Sequence, residues 1–254
     1  MEKRAGKSIS PPQGGHRCNG PGCTSNVLIK AHIIPAGFAR TLHRDGGYNL
    51  LVSSDGARRA RHQLGTFDKT ILCAECDRHL GGLDEYALRL SQSIPSVRRV
   101  GALERFEDVD CDRLAAFVTS VVWRAAISRE PAFDGINLGP HLHQARDIAF
   151  SHGGKGFPVI ANRLASPHLN VRQFYVIPAR QRLRDLNTYV FMLGGFQLHL
   201  IADRRPVPRH LQPLVINGQT ELVSLTIPLE GTAEFKEMGH LARSSATNAY
   251  GPRR

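Results

Sequence analysis

The chain has 254 residues, 41% of them apolar, and a formal net charge of +11 from 33 basic against 22 acidic residues. That length suits one large domain or two small ones, with enough apolar material for a packed core. No apolar run approaches the ~20 residues that cross a bilayer, and the polar opening stretch lacks a leader-like apolar segment, so a cytoplasmic protein without a membrane span is expected.

Residues 1–15, with Pro11, Pro12, Gly14 and Gly15 among Lys and Ser, read as a disordered lead-in. Cys18-Asn-Gly-Pro-Gly-Cys23 is a tight turn whose glycines let two sulfurs converge. Val27–Ile34 is β-prone and stops at Pro35. A helical turn is expected over Phe38–His43, a short strand over Thr66–Leu72, and a helix from Ala74 that Gly81-Gly82 interrupts and Leu83–Leu90 continues. A soft boundary at Ser91–Pro95 separates residues 16–95 from 96–254. Beyond it, Asp112 is expected to cap a helix whose apolar face is Leu114, Phe117, Val118, Val121, Val122 and Ala125. A second helix follows Pro140 and ends at Gly153-Gly154. Strands are predicted over Phe157–Ala161, Gln173–Ile177, Thr188–Leu193, Phe196–Ile201, Leu211–Ile216 and Leu222–Ile227, with Gly194-Gly195 as a two-residue hairpin turn. A closing helix is predicted over Ala233–Ala246. The second region therefore reads as α+β with a largely antiparallel sheet.

Four of the five cysteines form two close pairs, Cys18 with Cys23 and Cys73 with Cys76. In a chain expected in a reducing compartment, such pairs point to tetrahedral Zn(II) held by four thiolates. A four-sulfur site leaves no position for water, so this zinc is structural and any chemistry needs a second centre. Cys111, alone in Asp108-Val-Asp-Cys-Asp112, reads as an ordinary thiol. Arginine supplies 27 of the 33 basic residues. Its planar fork matches phosphate oxygens two at a time, which makes nucleic acid the expected partner.

A close cysteine pair, a strand carrying His32 in Lys30-Ala-His-Ile-Ile-Pro35, and Leu-Cys-x-x-Cys opening a helix together resemble the core of HNH endonucleases. The resemblance covers about residues 16–90. It implies an α+β chain: an N-terminal zinc-stapled ββα-metal (treble-clef) module, then an α+β region with an antiparallel sheet. By the same resemblance His32 is the general base and Asp77 the final ligand of a catalytic divalent ion such as Mg(II). The family pattern places a further ligand directly before the base, where this chain has Ala31. Asn49, in Gly46-Gly-Tyr-Asn-Leu50, resembles the middle residue of the motif, which would hold the other imidazole nitrogen of the base, while His62 and Asp68 are the candidates to replace the lost ligand. Arg58, Arg59, Arg61 and Arg78 lie close in sequence to this constellation and suit phosphate contacts. The triplets Arg180/Arg182/Arg184 and Arg204/Arg205/Arg209 suggest a second basic track. The expected activity is metal-dependent cleavage of nucleic acid, DNA rather than RNA, in defence against phage or mobile elements. The alternatives are a zinc-stabilised nucleic-acid-binding protein that does not cut, and a C-terminal sensor or partner-binding domain with the zinc module as accessory.

Overall fold

The computed structural model describes residues 16–44, 50–52, 59–61, 66–93, 103–152 and 156–236. The first part holds strand β1 (Ala31–His32), helix α1 (Ala36–Arg44), strands β2 (Leu50–Val52), β3 (Arg59–Arg61) and β4 (Phe67–Asp68), and helix α2 (Ala74–Ser93). β1 pairs antiparallel with β4, setting Ala31 opposite Asp68 and His32 opposite Phe67. β2 pairs in the same sense with β3. The strand expected over 27–34 contracts to two residues because the amide of Ile29 is bonded to Leu72 O at 2.9 Å and that of Ala31 to Ile29 O at 3.0 Å. The expected break in α2 at Gly81-Gly82 does not occur. Two glycines cost a helix about 2 kcal/mol, but Leu80, Leu83, Ala87 and Leu90 make a buried stripe that holds α2 in place.

The second part continues with β5 (Leu103–Phe106), α3 (Cys111–Ile127), α4 (Leu142–Ser151), β6 (Val159–Ala165), β7 (Val176–Leu183), β8 (Leu186–Leu193), β9 (Phe196–Ile201) and β10 (Leu222–Pro228). Asp110, two positions ahead of the predicted cap, starts α3: its carboxylate accepts the amide of Arg113 at 3.0 Å. Asp112 instead takes the amide of Gly218 at 2.8 Å. From Leu114 to Ala125 every residue of α3 is buried, the small residues behind the predicted apolar face included. α3 is enclosed by α2, α4 and the sheet.

The six strands run β5-β10-β6-β9-β8-β7, with β10 and β6 parallel and the other neighbours antiparallel. The sheet is therefore mixed, with one parallel pair. Gly194 and Gly195 have φ of 61° and 86°, which a two-residue β8–β9 turn demands. The strand expected over 211–216 is a short 3-10 turn, Gln212–Leu214, followed by a single bridge from Val215 to Ile160. Proline in that turn removes a ladder donor. The predicted strand at 173–177 begins only at Val176, and β5 was not anticipated: at four residues it is a short, half-exposed sheet edge. Of the closing helix, residues 233–236 are helical and the remainder lies outside the described residues.

One core cluster joins Cys18, Ala31, Ile33 and Leu72 of the first part to Phe117, Trp123, Phe191 and Leu222 of the second. Among the described residues, no helix is long and apolar enough to cross a membrane.

Candidate metal centre

The turn that begins at Cys18 is tied to the segment ahead of α2 by its neighbour Asn19. Both the backbone amide and the side-chain Nδ2 of Asn19 donate to Ile71 O, at 3.0 and 2.8 Å. Gly22 takes φ of +65° and the amide of Cys23 closes back on Gly20 O at 3.2 Å. The result brings all four Sγ atoms of Cys18, Cys23, Cys73 and Cys76 within 4.8 Å of one another. Zn–S bonds of about 2.3 Å at tetrahedral angles require S···S edges of about 3.8 Å. The Cys23–Cys73 edge is 3.7 Å, far too long for a disulfide and right for a shared cation. The amides of Gly20 and Cys73 point at Cys18 Sγ, at 3.4 and 3.3 Å, and favour a thiolate there.

The sulfurs have unequal proton affinities. Burial pushes Cys18 up, and pushes Cys76 up more strongly. Cys73, with the Cys76 amide as its largest influence, falls to about 7. Crowded sulfurs cannot all ionise without a cation; a bound metal takes all four as thiolates and releases their protons. These four residues can therefore hold a metal ion such as zinc. Cys111 takes no part: it is buried in the core and burial lifts its thiol to about 11.

Beside this cluster runs the β1–β4 pair. Ala31 is fully buried and belongs to the core, while His32, on the opposite face, is half-buried with its ring 6.2 Å from that of Phe67. Position 31 thus faces away from His32. Asp68 shares the buried face, and its carboxylate is already saturated. Oδ1 accepts the amide and hydroxyl of Thr70 at 2.6 and 2.7 Å; Oδ2 accepts the Ser128 hydroxyl at 2.9 Å and the Arg129 amide at 2.7 Å. Burial alone would raise its pKa, but these four donors outweigh it and hold the carboxyl below its ordinary value. Four accepted bonds fill a carboxylate, so Asp68 is a structural acid and not a replacement ligand.

Asp77 follows the last cysteine on the first turn of α2. It is half-buried, and burial raises its pKa; the Arg124 charge works against that rise and Asp84 adds to it. Among the described residues its carboxylate accepts no hydrogen bond. Asp84, seven residues on and so on the same side of the helix, is gripped by Arg124 through both guanidinium Nη atoms, at 2.9 and 2.6 Å. The Nη1 atom that bonds Asp84 also donates to the main-chain oxygen of His32 at 2.8 Å.

Arg78 is exposed next to Asp77. Arg59 and Arg61 occupy alternate positions of β3. Asn49, His62 and Arg58 lie outside the described residues. In the second basic track, Arg180 and Arg204 line one cleft of about 400 Å³, whereas Arg205 is folded onto Asp203 at 2.8 Å. Among the described residues, the four cysteines are the one group of three or more His, Cys, Asp or Glu close enough to share an ion. For a second ion these residues supply Asp77 and no complete set.

No family model, curated protein or solved structure matches the chain. Sequence reasoning overlooked Arg124 and Asp84. A signal existed: Arg124 interrupts the otherwise apolar run Val121-Val122-Trp123-Arg124-Ala125-Ala126, and a charge there must have a buried partner.

Proposed function

We propose that the protein is a metal-dependent endonuclease of the HNH type that cleaves phosphodiester bonds in nucleic acid, DNA in preference to RNA. The observation that carries this reading is the Asp77 carboxylate. It is half-buried, accepts no hydrogen bond among the described residues, and stands directly after the four-cysteine cluster on a helix tied to the strand of His32. A half-buried carboxylate that accepts no hydrogen bond among the described residues can turn to a cation.

The zinc held by Cys18, Cys23, Cys73 and Cys76 fixes the start of α2 and leaves no site for substrate. Asp77 would contribute one ligand to a divalent ion, which would supply charge stabilisation for the scissile phosphate and the leaving oxygen. The chain's own part is the proton. His32 takes a proton from the attacking water as the new P–O bond forms and the bond to the 3′ oxygen breaks. The departing oxygen is protonated from solvent. Arg58, Arg59, Arg61 and Arg78 contact flanking phosphates, and the +11 charge draws the polyanion in. Action against phage or mobile DNA is the role such cutting would serve.

A second reading, a zinc-stapled nucleic-acid-binding protein that does not cut, is favoured by one observation: Ala31 belongs to the core and offers no ligand. Incubation with plasmid DNA and with RNA, in Mg(II) or Mn(II), separates the two. The first reading expects cutting that His32→Ala reduces by at least a hundredfold. Retention of both nucleic acids in a salt-dependent shift assay, with neither cut at any metal concentration, selects the second.

A further inference from the structure

We infer that Arg124 is a positioning residue of the site proposed above, one that fixes where the His32 strand stands against the carboxylate-bearing side of α2. The inference rests on the nuclease reading and deepens it. Arg124 comes from α3, in the second part of the chain, and is 1% exposed. Its guanidinium makes four bonds: Nη1 to His32 O at 2.8 Å, Nη1 and Nη2 to the two oxygens of Asp84, and Nε to Ser120 O at 3.4 Å. One planar group thus joins β1, α2 and its own helix.

The same end of α3 holds the partner strand as well. Ser128 Oγ and the Arg129 amide both donate to Asp68 Oδ2. Both strands of the β1–β4 pair are therefore pinned to the C-terminal turn of one helix, β1 through Arg124 and β4 through the residues after it. β1 has two residues in its ladder, flanked by the bonds Ile29 N–H to Leu72 O and Ile33 N–H to Thr66 O, both 2.9 Å. Arg124 adds the bond that ties the His32 carbonyl directly to the carboxylate-bearing side of α2.

Stability alone does not account for the arrangement. A buried ion pair is often replaceable by apolar side chains of the same volume with no loss of stability, because desolvation cancels much of the attraction. What an apolar replacement cannot do is bond a backbone oxygen and a carboxylate in a fixed plane. Lysine carries the charge but has no fork to reach both.

The test compares the full-length wild type with Arg124→Met/Asp84→Leu, which removes the charged pair without leaving either charge buried alone, and with Arg124→Lys. The double variant is expected to keep its zinc and to melt close to the wild type. Its kcat on DNA should fall about a hundredfold, as expected for a misplaced catalytic group, with KM little changed. Arg124→Lys should lose kcat in the same way while keeping the positive charge. An active wild type matched in kcat by a folded, zinc-loaded double variant overturns the inference and leaves the nuclease reading standing. A wild type that cuts nothing overturns that reading, and the inference with it.

Discussion

Gly20 lies directly against Cys76: a Cβ carbon at position 20 would sit 2.3 Å from the Cys76 sulfur and 3.2 Å from its Cβ. The turn between the first two cysteines therefore passes the fourth so closely that only glycine fits. Gly20→Ala should weaken zinc binding by roughly ten- to a hundredfold, the range seen when groups supporting a metal's ligands are altered. Gly22→Ala is the contrast, since position 22 has open space but φ of +65°. It should cost only about 1–2 kcal/mol of backbone strain. Competition with a chromophoric chelator reads both; equal zinc affinity in Gly20→Ala and wild type would remove the close-approach argument.

Purified protein should contain one zinc per chain by elemental analysis. Cys23→Ser should lower that content, and chelation should lower the melting temperature of the wild type. Unfolding of both monitored by near-UV circular dichroism checks the second point. A metal-free wild type that melts unchanged shows that the cysteine cluster does not depend on an ion.

Asp68→Asn should destabilise the protein by about 2–4 kcal/mol at pH 7, because buried donors on Thr70, Ser128 and Arg129 lose an acceptor. The pH dependence has a definite sign. The folded pKa of Asp68 is lowered, so its stabilisation is present above the unfolded carboxyl value near 3.9 and is lost as pH falls through the folded value. The gap between wild type and variant in urea unfolding should therefore narrow on acidification below about pH 4. A gap that widens there contradicts the assignment.

His199 gives a second pH signature, in a different window. Burial lowers its pKa to about 4, with the Glu234 charge opposing. From pH 6.5 downward the unfolded chain binds a proton at this residue that the folded chain does not. Stability is thus full above about pH 6.5 and declines towards pH 4, by roughly 3 kcal/mol in total at 1.36 kcal/mol per unit. His199→Gln should flatten that part of the stability profile. An unchanged slope between pH 6.5 and 4 would show that His199 is protonated as easily folded as unfolded.

The cysteine cluster was legible in the sequence because metal ligation leaves a spacing signature that needs no knowledge of the fold. The Gly194-Gly195 turn was legible for a similar local reason: the two positive φ angles are demanded by the turn itself. α3 was visible as an amphipathic pattern, but its extra buried side was not, because alanine and serine carry little periodic signal. What escaped was long-range. Asp68 looked like a spare ligand until Ser128 and Arg129 arrived from sixty residues away. The Ala31 position looked like a missing ligand until the β1–β4 register turned it into the core. The break expected in α2 does not occur because glycine propensity is local, whereas the buried stripe that overrides it needs α3 to pack against.

The bond from Arg124 to the His32 carbonyl also orders events in time. Chains emerge N-terminus first, at about 5–20 residues per second. All four cysteines are made before Arg124, so a nascent chain can gather its metal seconds before the helix that seats the histidine strand exists. A fragment cut short between Cys76 and Arg124 would keep all four cysteines but lack the side chain that holds the His32 carbonyl.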